Sequence, residues 1–263
     1  MKKSLTLLTV AVSALMLCSA RAQMGSHGGG NPNLTGAMIK LFGDNQIFSA
    51  NLEFQISDAS SPDTMTLPGK IKFDHGECRF DMNMSDMKGG KIPPGAAAQF
   101  KSMGMDQVVA ISRPDFKSAY LIYPGMQSYV INPAPQDAST NLDDYKMDVT
   151  NLGQETVAGH DCTKNKVIVT EKNGAQHQST VWNATDLNKF PVKIESNEDN
   201  RDMVMVFTSI SFAKPDASQF EAPAGFTKYD SMQSMMQAVI MKRMANQGGA
   251  GGMPPQQATP PQQ

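Results

Sequence analysis

Four histidines and a set of cysteines and methionines are the residues of this chain best suited to metal or redox chemistry. The histidines are His27, His75, His160 and His177. His75, Cys78, His160 and Cys162 together supply the imidazoles and thiols of a structural Zn site. Their spacings follow none of the paired Cys-x2–4-Cys or His-x3–5-His patterns, so no metal is assigned. Methionine is unusually frequent, at 20 residues, and occurs in the pairs Met82-x-Met84, Met103-x-Met105 and Met203-x-Met205. Soft thioethers select Cu(I), which makes a copper carrier one reading. The stronger reading is core or cavity lining. In a strand, i and i+2 face the same way, and methionine fills irregular apolar space. No G-x-S-x-G elbow, H-E-x-x-H helix, phosphate loop or dinucleotide fingerprint is present. Gly28-Gly29-Gly30 has no strand before it, and the acids are scattered. No catalytic residue and no cofactor is assigned, and the chain is read as a non-enzyme.

The compartment follows from the N-terminus. Lys2-Lys3 precedes a short apolar stretch, Leu5 to Leu17, and Ala20-Arg21-Ala22 gives the small-x-small pattern of a cleavage site. Residues 1–22 are therefore a signal peptide cut before Gln23, and the product is periplasmic or secreted. Lipidation at Cys18 is the lesser reading, because Leu17 is large for the residue preceding a lipidated cysteine. The mature chain carries 20 Lys+Arg against 25 Asp+Glu, too acidic a balance for a nucleic-acid binder. No later segment is apolar for long enough to span a membrane. Two cysteines remain, Cys78 and Cys162. An oxidising compartment allows a disulfide between them, and two buried thiols are the alternative.

Residues 23–44, rich in Gly, Asn and Ser up to Ala37, read as a flexible leader. Residues 246–263 are nearly all Gly, Pro and Gln and read as a disordered tail. Between them, residues 45–245 form one mainly β domain. Phe48, Ala50, Leu52, Phe54 and Ile56 alternate with polar residues, as in a strand with one wet face. Met65, Leu67, Ile71 and Phe73 repeat the pattern, Asp74-His75-Gly76 turns the chain, and Cys78, Phe80, Met82 and Met84 answer it. A short middle helix is expected from Ala96 to Gly104. Strands resume at 107–112, 119–123 and 128–132, and the stretch 133–150 is the least legible. Further strands follow at 155–158, 164–170, 178–183, 191–196 and 203–212, with turns at Lys172-Asn173-Gly174 and Glu198-Asp199-Asn200. The economical arrangement is an antiparallel meander. Asp230-x-x-Gln233 predicts a helix start, and Met232, Met235, Met236, Val239 and Ile240 form one apolar stripe.

Gly153-Gln154-Glu155-Thr156-Val157-Ala158-Gly159-His160-Asp161-Cys162 and Phe190-Pro191-Val192-Lys193 resemble an uncharacterised family of exported bacterial domains. With Phe220-Glu221-Ala222-Pro223-Ala224-Gly225-Phe226 they also resemble the LolA/LolB-like superfamily of lipoprotein carriers. The resemblance covers roughly residues 45 to 240. It implies a curved antiparallel sheet, an open half-barrel, with helices over an apolar cavity. It also implies a lipid, a lipoprotein segment or another apolar ligand in the concave face. Phe54, Ile56, Phe73, Phe80, Met82, Met84, Met232, Met235 and Met236 are the residues expected to line that face. The alternative is a structural or protein-interaction module of the cell envelope, with an envelope protein as partner.

Overall fold

The computed structural model describes residues 35–58, 63–90, 95–133, 141–198 and 201–248, with side chains as far as Met241. The signal peptide and its cut, His27, the turn at 199–200 and the tail from 249 lie outside the described residues.

Thirteen strands make one open, curved sheet. They are β1 (Ile47–Asp58), β2 (Met65–Asp74), β3 (Glu77–Asn83), β4 (Lys88–Gly89), β5 (Gln107–Arg113), β6 (Ser118–Tyr123) and β7 (Ser128–Pro133). The second run is β8 (Tyr145–Val157), β9 (His160–Glu171), β10 (Gln176–Ala184), β11 (Pro191–Glu198) and β12 (Arg201–Ser211), with a short β13 (Thr227–Tyr229). Among the described residues three helices accompany them: α1 (Gly36–Leu41), α2 (Ala96–Met103) and α3 (Met232–Gly248). The strand order is β13-β7-β6-β5-β3-β2-β1-β12-β11-β10-β9-β8, with β4 beside β2. The chain therefore starts in the middle of the sheet and walks to one edge. It restarts at the far edge with β8 and returns until β12 pairs with β1.

The meander is antiparallel except at β13, which runs parallel to β7. The period-two sequences explain the layering. Along β1, Phe48, Ala50, Leu52 and Ile56 are buried, and their register partners on β2 are Phe73, Ile71, Gly69 and Met65. These residues share the face that carries the helices. Ser49, Asn51, Glu53 and Gln55 take the opposite face with Lys72, Lys70, Pro68 and Thr66.

Three expectations need correction. The leader does not extend to 44, because residues 36–41 are helical. Thr35 caps α1 by accepting from the Met38 N–H at 3.2 Å, and Ala37, Ile39, Leu41 and Phe42 are buried. The tail does not begin at 246, since α3 runs to Gly248. The α3 cap lies one residue later than Asp230. Ser231 and Ser234 exchange side chain-to-backbone bonds of 3.1 and 3.2 Å, because β13 holds 227–229 in the sheet. The weakly patterned stretch up to 150 contains the start of β8, a 13-residue edge strand with exposed side chains.

Candidate functional site

The helix-bearing face splits into two compartments of different chemistry. The first is aromatic. Phe42, just after α1, lies 4.8 Å from Phe48 and 5.8 Å from each of Phe73, Phe190 and Phe207, centroid to centroid. Phe190 meets Phe48 and Phe207 edge-on at 4.9 and 5.7 Å. Such pairs add about 0.5–1.5 kcal/mol each beyond their buried area. Helix α1 closes this compartment tightly: a Cβ at Gly36 would run into the Tyr145 ring. Lys40 Nζ also donates to the Leu142 carbonyl at 2.9 Å. All five rings are fully buried, so this half is filled.

The second compartment is built of methionine. Met84, Met105 and Met235 are buried among Leu67, Phe100, Val108, Leu121, Tyr123 and Val130. Met82, Met87, Met103, Met126, Met232 and Met236 pack around them, partly exposed. Nine thioether side chains thus share one cluster, four of them carried by α2 and the first turns of α3. Only the N-terminal part of the α3 stripe docks: Met235 is wholly buried, whereas Ile240 is 48% exposed. Unbranched methionines repack at low cost, unlike interlocked rings. Helix α2 ends on Gly104 (φ 71°), in backbone contact with Gly125, where a Cβ on Gly104 would come within 2.8 Å of the Gly125 carbonyl oxygen.

The expected lining residues divide between these halves. Met82, Met84, Met232, Met235 and Met236 come together in the methionine cluster. Phe80 bridges both clusters, and Phe73 with Phe54 belongs to the aromatic one. Ile56 is buried between Met65 and Met203 at the far end of the face, in neither cluster. Met84 sits on a 3-10 turn (Met84–Asp86) rather than on the strand. Of the three Met-x-Met pairs, two enter the methionine cluster, whereas Met205 packs among the aromatic rings.

The proposed disulfide is not formed. Cys78 on β3 and Cys162 on β9 are both free and buried, with five strands between theirs in the sheet. Burial pushes both thiols above the ordinary range, which keeps them protonated. The Zn combination is likewise spread out. His75 Nδ1 bonds Asp74 at 2.7 Å, and His160 Nδ1 bonds Asp186 at 2.8 Å. Among the described residues no three His, Cys, Asp or Glu side chains gather in a metal-binding group.

Two further features lie outside the expected lining residues. On the opposite face, Phe220 seals Val109, Ile111 and Ile122, held by bonds from Arg79 to the Gln219 carbonyl (2.9 Å) and from Arg113 to the Phe220 carbonyl (3.1 Å). Beside this strap lies an open depression of about 840 Å3, lined by Glu53, Lys70, Lys72, Arg79, Asp81 and their neighbours. Its charges are largely self-compensated, for the Arg79 guanidinium forks onto Asp81 at 2.6–3.1 Å.

The family described as "Domain of unknown function (DUF4412)" matches residues 59–190, half of the chain. The chain belongs to this family. Comparison with curated proteins finds no match. Among solved structures, the DUF4412 chain is similar to lipoprotein LppX of Mycobacterium tuberculosis. The identity is 10%, the TM-score 0.40, and the match covers 68% of this chain and 96% of the other. It is similar to the LolA superfamily protein NE2245 of Nitrosomonas europaea at 8% identity and TM-score 0.36, covering 72% and 98%. MucB of Pseudomonas aeruginosa, solved in complex with MucA, matches at 15% identity and TM-score 0.34, covering 72% and 60%. No helix among the described residues is long and apolar enough to cross a membrane.

Proposed function

We propose that this DUF4412 chain is an exported, non-enzymatic binding module that takes an apolar chain, a lipid or a lipoprotein segment, into its methionine compartment. The observation that carries the reading is the unequal construction of the helix-bearing face. One half is a locked aromatic core; the other is nine methionines, four of them supplied by the two helices that cover it. Only the second can open without dismantling the fold, because α2 and the first turns of α3 rest on side chains that repack readily. An acyl chain would replace the thioether packing with contacts of the same apolar kind, and α3 would ride outward as it entered. The test is a native mass spectrum of protein purified gently from the periplasm, then exposed to monododecanoyl glycerol. The expected result is a mass increment of a bound lipid, before or after exposure. A bare polypeptide mass in both samples would overturn the reading.

A second reading has its own observation. Strand β8 is a sheet edge of 13 residues on which Met147, Val149 and Leu152 are 40%, 53% and 52% exposed. An open edge with apolar side chains can accept a strand from an envelope protein. Pull-down of the same partner by wild type and by a Val149→Pro variant would count against it.

A further inference from the structure

The methionine compartment contains a polar group with nothing to bond. Tyr123 closes β6, is 1% exposed and packs in the methionine cluster, yet its hydroxyl has no hydrogen-bond partner. Burial pushes its pKa far up, so the hydroxyl keeps its proton and stays a donor. A second orphan, Ser85 Oγ, lies in the turn next to Met84, against which α2 packs. The neighbouring polar residue Ser128, register partner of Tyr123 on β7, is already engaged, its Oγ donating to the Met126 carbonyl at 2.9 Å. Leaving a buried hydroxyl unsatisfied carries a desolvation penalty, and phenylalanine in its place would escape it. A tyrosine here is explained if something that binds in this compartment brings an acceptor.

We infer that the ligand of this site is an acyl ester, held with its carbonyl oxygen accepting a hydrogen bond from Tyr123 Oη and its hydrocarbon chain among the methionines. This rests on the apolar-ligand reading above and narrows it. A neutral acceptor is favoured, since the side chains that pack with Tyr123 in the methionine cluster are apolar and an unpaired carboxylate among them would be heavily penalised. That argues for an ester over a free fatty acid. Helix α2, whose end abuts the Pro124–Met126 turn directly after Tyr123, is placed to cover the carbonyl once the chain is seated.

The experiment compares 1-monododecanoyl glycerol with 1-O-dodecyl glycerol, two molecules alike in head and chain that differ in the carbonyl. Affinities are measured by native mass spectrometry or displacement of a fluorescent probe, for wild type and Tyr123→Phe. Wild type should bind the ester about tenfold more tightly than the ether, from one hydrogen bond made in an apolar site. Tyr123→Phe should bind the two equally, with ether affinity unchanged and a melting temperature equal to or above wild type. An ester preference retained in Tyr123→Phe, or a melting temperature lowered by several degrees, would overturn the role given to Tyr123. Equal binding of ester and ether by wild type would do the same while leaving the apolar site standing. Binding of neither molecule by wild type would remove the site itself.

Discussion

The two halves of the helix-bearing face bury similar kinds of surface and differ in how they hold it. In the aromatic half, five phenylalanine rings interlock at 4.8–5.8 Å and α1 is pressed against Tyr145. In the methionine half, flexible side chains lie under α2 and a helix whose stripe is buried only at its first turns. Rings have few rotamers and lose packing outright when displaced; methionines have many and recover it. The difference assigns stability to one half and adaptability to the other.

That division can be attacked from either side. The largest effect is expected at Phe190, which touches four other rings: Phe190→Ala should destabilise the fold by about 3–5 kcal/mol in denaturant titration. Met235→Ala empties an equally buried position, but its surroundings can collapse, so a loss of about 2 kcal/mol, the low end for such truncations, is expected. Equal losses at the two sites would erase the distinction. Gly104→Ala meets both a left-handed backbone and the Gly125 carbonyl oxygen, and should cost roughly 1–2 kcal/mol while loosening α2. Hydrogen exchange should then rise in residues 96–103 and stay unchanged in α1.

The smallest effect is electrostatic and belongs to the rim of the aromatic half. Asp74 is buried, which alone would raise its carboxyl pKa. Bonds from His75 and Lys214 outweigh that and hold it below its ordinary value of 3.8. A depressed carboxyl contributes stability above its unfolded pKa and loses it as pH falls through the folded one. Wild type should therefore melt above Asp74→Asn at pH 6, and the gap should shrink below about pH 4 as the carboxylate protonates. A gap that widens on acidification would reverse the sign and remove the pairing.

Much of the sheet was legible because period-two alternation is imposed directly by burial of one face: β1, β2, β3 and β5–β7 follow their apolar residues within a residue or two. Residues 145–154 of β8 were not, because an edge strand that buries little has no reason to alternate; most of its side chains are exposed. Helix α1 was hidden by its glycine-rich approach, though Met38-Ile39 and Leu41-Phe42 carried the apolar signal. The methionines expected from β3 and α3 fall in one cluster, because strand and helix periodicity each mark a face. That Phe73 and Phe54 belong to a closed core, while Met82 and Met84 belong to a looser one, depends on where α1 docks. No local pattern encodes that. Nor does any pattern announce an orphan hydroxyl, since satisfaction is decided by neighbours across the sheet.

Which methionines respond to a ligand distinguishes an opening half from a locked one. Protein labelled with 13C at its methionine methyls should be titrated with monododecanoyl glycerol and followed by NMR. Resonances of Met82, Met84, Met232, Met235 and Met236 should shift together, while Met205, packed among the aromatic rings, stays still. Movement of Met205 with the rest, or a titration that leaves all of them in place, would contradict the division of the face into a locked half and an opening one.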